Sequence, residues 1–136
     1  MRRIESRLNT HSAEFRANFA HNQKLAAAFR EKERAVRQDR PQRDVDRIRK
    51  QQKLMVRERL DLLLDPGTPF MELSSLAAND AYDGEVPGAA CVTGIGVVSG
   101  RECVIHAGDP SVKGGAWYPL TIKRIVRALD LSLIHI

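Results

Sequence analysis

Aromatic residues make up only 5% of the 136-residue chain, and the basic stretch from Arg43 to Arg59 contains none. Without interleaved rings, and with Asp44, Asp46 and Glu58 diluting its charge, that stretch lacks the stacking platform and unbroken cationic stripe of a nucleic-acid binder. Two cysteines, Cys91 and Cys103, do not make a disulfide scaffold, although one bridge remains open by count. His11, His21, His106 and His135 are scattered, with no carboxylate or cysteine at ligand spacing, which argues against a zinc or copper site. No apolar run approaches membrane-spanning length. The first residues carry Glu5 and Glu14 among their arginines and no apolar segment, so neither a secretion signal nor an organelle transit peptide is expected. The expectation is a cytoplasmic protein with no membrane partner.

Positive charge is concentrated at one end. Residues 1–60 hold 17 Lys plus Arg against 8 Asp plus Glu, and residues 61–136 hold 5 against 9. Such a +9 to −4 asymmetry suits a phosphate-bearing ligand, an anionic surface or a plain solvated helix. From Ser12 to about Gln38, Phe15, Phe19, Leu25, Phe29 and Val36 fall near one helical face, with no Gly or Pro to interrupt them. The narrow stripe suits a helix laid across a partner surface. Pro41 interrupts it, and a basic helix is predicted from Asp44 to Lys53. A third follows, with Val56, Leu60 and Leu63 at i, i+4, i+7, stopped by Asp65-Pro66-Gly67.

The pattern then turns to β. Phe70 to Leu73 is a short strand candidate, Asn79 to Gly88 a polar loop, and Ala89–Val98 and Arg101–Ala107 are apolar runs joined by Ser99-Gly100, a two-residue hairpin signal. The usual register sets Cys103 opposite Gly96 and Cys91 opposite Gly108, so the cysteines do not meet. Pro119 suits the first turn of a helix carrying Ile122, Ile125, Val126 and Leu129 at helical spacing, with Lys123, Arg124 and Arg127 among them. A hairpin and one helix cannot shield both faces of a sheet, so residues 1–136 alone are expected to be aggregation-prone or partly molten.

Three motifs fail on spacing or context. Gly94-Ile95-Gly96 lacks the third glycine of a dinucleotide fingerprint, since Ser99 stands there and a strand follows. Gly108 to Gly115 has the wrong order for a P-loop, ending Lys-Gly-Gly. Ser111 has no nucleophile-elbow context. His106 reads as a core or pocket-wall residue, Asp109 before Pro110 as a turn former, and Trp117-Tyr118 as a hydrophobic plug at the helix start. What remains is AGDPSVKGGAWYP at 107–119, where bare glycine backbone joins an apolar strand to a helix with Lys113 beside it. Backbone of this kind approaches a ligand closely and suits a phosphate or an oxyanion.

KLMVRERLDLLLDPGTPFMEL at 53–73, EVPGAACVTGIGVVSGREC at 85–103 and SVKGGAWYPLTIK at 111–123 together resemble the start of the carboxyltransferase (β) subunit of biotin-dependent acyl-CoA carboxylases, of the methylcrotonoyl-CoA and geranyl-CoA type. The resemblance covers about residues 12–130. It implies an α/β fold in which N-terminal helices precede a crotonase-like superhelix of ββα units, here only its start. It divides the chain into an N-terminal helical extension (1–43), an incomplete N-terminal acyl-CoA carboxyltransferase domain (44–130) and a tail of non-native character (131–136). It implies carboxyl transfer from carboxybiotin to a branched acyl-CoA such as 3-methylcrotonoyl-CoA. Biotin would be carried by an α subunit with biotin carboxylase and carrier parts, and the β subunits would form a homo-oligomer.

On that reading Asp109, Ser111, Val112, Lys113, Gly114 and Gly115 line the acyl-CoA pocket, Lys113 as a point charge. Arg57 and Arg59 would face the CoA phosphates or join Glu58 in a structural ion-pair cluster. The family usually has Arg-Gly-Lys-Leu where this chain has Gln51-Gln52-Lys53-Leu54, and Ala-Asn-Asp-Ala-Thr where it has Ala107-Gly108-Asp109-Pro110-Ser111, which changes the hydrogen bonding of that turn. The glycine-rich oxyanion segment and the biotin-facing domain of the family lie beyond residue 136, so the piece alone is expected to be inactive. The last residues, LSLIHI, leave the family pattern after Asp130 and resemble a translated adapter sequence, as from a reading frame cut in assembly. The competing reading is a non-catalytic interaction module with a basic helical surface.

Overall fold

Ser99 and Gly100 both take positive φ, 52° and 75°, the backbone of a type I′ turn whose twist matches the strands on either side. In this computed structural model, which describes residue 6 and residues 8–134, the turn joins β2 (Cys91–Val98) to β3 (Arg101–Gly108). Glu5, His135 and Ile136, used in the sequence reading, lie outside the described residues. Asp65 holds the turn: Ser99 N and Gly100 N each donate to its carboxylate at 2.7 Å, while Asp65 N donates to Val97 O. The residue that ends a helix in the sequence thus also fixes a hairpin 34 residues on. The register is the expected one, with Cys91 opposite Gly108 and Cys103 opposite Gly96, and both cysteines are free.

β1 (Met71–Leu73) pairs antiparallel with β2, giving the order β1-β2-β3. One face of this sheet packs on α3 (Val56–Leu63), where Val56, Leu60, Val92 and Ile105 form a buried cluster joined by Leu64 and Phe70. Gly94 and Gly96 make that packing close. A Cβ at Gly94 would fall 2.3 Å from Phe70 Cζ and 2.7 Å from Met71 O, and one at Gly96 would fall 2.4 Å from Leu64 Cδ2. The Gly-Ile-Gly that imitates a nucleotide fingerprint is therefore a seat for two core side chains.

α4 (Pro119–Ile134) covers the other face and continues without a break across Asp130. Its inner side is Thr121, Arg124 and Ala128, all buried, whereas Ile122, Val126, Leu129 and Leu133 form a second, exposed stripe. Arg124, which the sequence places with Lys123 and Arg127 among polar positions, is instead a core residue with a 3% exposed side chain. Its Nη1 donates to Gly88 O and Cys91 O, its Nη2 to Leu73 O and its Nε to Thr93 Oγ1. Burial pushes its pKa down, opposed by Cys91 and Glu72. The segment it holds needs holding. Gly88, Ala89 and Ala90 are all left-handed, at about 1–2 kcal/mol for each alanine, and Thr121 Oγ1 adds a bond to Ala89 O.

The expected polar loop at 79–88 is built of tight turns at Tyr82–Gly84 and Pro87–Ala90. Tyr82 packs on Tyr118 with ring centroids 5.0 Å apart, over Val86, Ala90 and Val112. The plug at the start of α4 is thus Tyr118, whereas Trp117 is 67% exposed. His106 is exposed on β3 and not in the core, whereas its register partner Thr93 is buried and bonded to Arg124 of α4.

α1 (Ala13–Gln38) and α2 (Gln42–Lys50) meet at Pro41, so the second helix starts two residues earlier and ends three residues earlier than its basic run predicts. After it, Gln52 sits at φ 55°, a conformation that only glycine adopts without strain. The chain divides into two compact units at the Lys32–Glu33 junction. In the first, Phe15 stacks on Phe19 at 6.1 Å, and Ser12 Oγ caps α1 by accepting from Phe15 N at 3.1 Å.

Candidate functional site: the cleft beside the loop after β3

The loop leaving β3 is pinned at its first residue. Asp109 N donates to Ala90 O, and the buried carboxylate accepts from Ser111 N at 3.0 Å and from Ser111 Oγ. This is an Asx turn, as Asp-Pro predicts. Val112 N then donates to Asp109 O and Gly115 N to Val112 O. Lys113, Gly114 and Gly115 are all left-handed, at φ 46°, 70° and 83°. Glycine makes this conformation inexpensive at two of the three positions.

Arginines from the α1–α2 elbow brace the loop. Arg40, whose side chain is 9% exposed, pairs with Asp109 Oδ2 at 2.9 Å and donates to Ser111 Oγ at 3.0 Å. Arg47 donates to Pro110 O at 2.9 Å. Across the loop, Lys113 Nζ meets Glu85 at 2.5 Å, and each holds the other in its charged form: the Lys113 pKa is raised and the Glu85 pKa lowered by their hydrogen bond.

These residues border an open cleft of about 370 Å³, lined by Arg40, Arg43, Arg47, Lys113, Ser111 and Val112, with Asp39, Asp44 and Glu85 also in its wall. Of the six residues expected at the acyl-CoA pocket, Ser111, Val112 and Lys113 line this cleft. Asp109 is buried behind it, and Gly114 and Gly115 continue the loop outside the lining. Sequence reasoning did not single out Arg40, Arg47 or Glu85. Pro41 was the available signal, because an arginine just before a helix-interrupting proline is set at an elbow and not on a solvated helix face.

Arg57 and Arg59, the other expected phosphate-facing cations, are turned elsewhere. Arg57 forks onto Glu72, at 2.9 and 3.1 Å, where Arg37 and Arg124 also converge. Arg59 donates to Gly108 O. The expected ion-pair cluster of Arg57, Glu58 and Arg59 does not form: Glu58 pairs with Arg49, because neighbours along α3 point to different sides of the helix. Among the described residues no group of three His, Cys, Asp or Glu is placed to hold a metal ion, and no helix is long and apolar enough to cross a membrane.

Residues 47–134 match the family described as "Carboxyl transferase domain". Over 81 residues, 60% of this chain, the sequence is 58% identical to the biotin-dependent 3-methylcrotonyl-coenzyme A carboxylase beta1 subunit of Mycobacterium tuberculosis. It is 38% identical over 130 residues, 95% of this chain, to the probable methylcrotonoyl-CoA carboxylase beta chain of Drosophila melanogaster. The chain spans only 15% and 22% of these two relatives. The crystal structure of the P. aeruginosa geranyl-CoA carboxylase beta subunit superposes on 96% of this chain with a TM-score of 0.83 at 35% identity, using 24% of its own length. The Transcarboxylase 12S structure covers 83% of this chain at a TM-score of 0.73. The fold is thus part of a crotonase-like carboxyltransferase fold, and the chain belongs to the carboxyl transferase domain family.

Proposed function

We propose that the protein carrying this sequence is a β-type carboxyltransferase, which moves the carboxyl group of carboxybiotin onto a branched acyl-CoA such as 3-methylcrotonoyl-CoA. The observation that carries this reading is the 58% identity to a 3-methylcrotonyl-coenzyme A carboxylase subunit over a stretch of 81 residues. In the reaction the acyl-CoA loses a proton to become a thioester-stabilised carbanion. Biotin, carried by an α partner, would supply the carboxyl group that this carbanion takes up and would accept a proton in exchange. The cleft does not fit biotin, because its walls are largely charged side chains, and no step here is routed through it.

The role of this chain is to hold the acyl-CoA. Asp109, Ser111, Val112, Lys113, Gly114 and Gly115 form one edge of that pocket in our reading. Lys113 leaves Glu85 for a phosphate or carbonyl oxygen, and the glycine backbone permits close approach. Arg43, whose side chain is 88% exposed beside Asp44, adds a second cation. We place residues 1–43 as a helical extension, 44–130 as the carboxyltransferase portion and 131–136 as a tail. The enzyme is cytoplasmic and works as a β homo-oligomer with its biotin-bearing partner.

Calorimetric titration of the whole β polypeptide with CoA tests the reading. Saturable binding weakened by Lys113→Gln is expected. Absence of binding, together with absence of acyl-CoA carboxylation in the assembled enzyme, returns the chain to a non-catalytic interaction module.

A further inference from the structure

We infer that Arg40 is a positioning residue for the acyl-CoA edge formed by residues 111–115, a role that rests on the functional reading above. The hydrogen bonds of Arg40 go to Asp109, Ser111, Asp39 and Val36, not to the backbone of residues 113–115. It acts through Asp109 and Ser111, and four observations support that route.

The guanidinium is itself fixed. Nη1 donates to Asp39 O at 2.7 Å and Nη2 to Val36 O at 2.9 Å, so the elbow carbonyls set its orientation before it meets the loop. The same group then makes three loop contacts, from Nε to Ser111 Oγ and from both Nε and Nη2 to Asp109 Oδ2. A planar fork can satisfy carboxylate, hydroxyl and carbonyls at once, whereas an ammonium is a single point of contact.

Asp109 passes the constraint onward. Its Oδ1 holds Ser111 N and Ser111 Oγ, its carbonyl accepts from Val112 N, and Val112 O accepts from Gly115 N. Each turn is closed on the one before, so the left-handed run of Lys113, Gly114 and Gly115 inherits its direction from the Asp109 carboxylate. Finally, Arg47 braces Pro110 O from α2, which makes the elbow a two-point mount for the loop. Arg40 and Ser111 border the cleft that Lys113 also lines, so a tilt of the mount moves the cleft wall.

The test is steady-state kinetics of the carboxylase assembled from the whole β chain and its biotin-bearing partner, with acyl-CoA varied. Arg40→Lys keeps the charge and removes the fork. A misplaced binding edge raises the KM for acyl-CoA by about tenfold, on the order of one lost hydrogen bond to a charged group, while kcat stays within about twofold. Ser111→Ala shifts KM in the same direction by less. A merely structural role gives the opposite split, since a smaller folded fraction lowers kcat and leaves KM alone. Unchanged KM in Arg40→Lys, with turnover intact in the unsubstituted enzyme, overturns the Arg40 role only. No acyl-CoA turnover in the unsubstituted enzyme overturns the functional reading and this inference with it. Arg40→Ala is not relied upon, because it leaves the buried Asp109 carboxylate without its cation.

Discussion

Replacing Arg124 with methionine removes the one side chain that ties α4 to all three neighbouring segments. Methionine fills most of the same volume, so packing loss is small and the change isolates the polar network. Gly88 O, Cys91 O and Leu73 O each lose a charged donor, and Thr93 Oγ1 loses its Nε–H partner. Gly88 O keeps Cys91 N and Leu73 O keeps Thr93 Oγ1 as donors, so the cost falls chiefly on Cys91 O, and stranding one acceptor costs about 1–3 kcal/mol. Against this stands the desolvation of the guanidinium, which the variant no longer bears and which is also worth several kcal/mol. Glu72 keeps Arg57 and Arg37 and is not orphaned. With no charge left unpaired and the acceptor cost partly offset by that desolvation, the net loss is about 1–2 kcal/mol. At a urea slope of about 2 kcal/mol/M, that is a fall in midpoint of roughly 0.5–1 M. Arg124→Lys recovers about half of this, because one ammonium reaches Gly88 O and Cys91 O but not Leu73 O and Thr93 Oγ1 together. Urea unfolding followed by circular dichroism measures both variants. A midpoint for Arg124→Met within about 0.2 M of the parent would refute the reasoning, since the left-handed 88–90 turn would then stand without its charged donor.

Two other expectations follow from the core and from α3. Gly94→Ala costs about 2–3 kcal/mol in the same urea assay, at the upper end for overpacking because Met71 O cannot swing aside; Gly96→Ala, which meets only the flexible end of Leu64 and the edge of Phe70, costs less, and a reversed order contradicts the packing. Glu58 is held below the ordinary glutamate range chiefly by its hydrogen bond from Arg49, then by Met55 N. Its contribution to α3 is therefore present above the ordinary glutamate value and lost as pH falls through the depressed one, and the Met55 amide shift, followed by NMR, should titrate with that lowered midpoint and go silent in Glu58→Gln.

Much of this arrangement is legible in the chain because it is set by near neighbours. Ser99-Gly100 demands two positive φ angles, so turn type, register and the separation of Cys91 from Cys103 come together. Asp109-Pro110-Ser111 forms its turn from its own side chains, and the interruption at Pro41 is a covalent fact. Residue type was less informative where the partner lies far along the chain. Arg124 and Arg127 look alike in sequence, but only Arg124 falls over the 88–91 carbonyls. Arg57 stands next to Glu58 and pairs with Glu72 instead, 15 residues away.

The sequence by itself determined the local geometry: where helices stop, how the hairpin turns, where glycine allows the loop after β3 to run left-handed, and which family motifs occur in which order. Only the tertiary structure decided which of the many arginines are structural. A guanidinium is expensive to bury, so its place depends on where unpaired carbonyls and carboxylates converge, and that convergence exists only once α4, the 88–91 turn and the α1–α2 elbow are brought together.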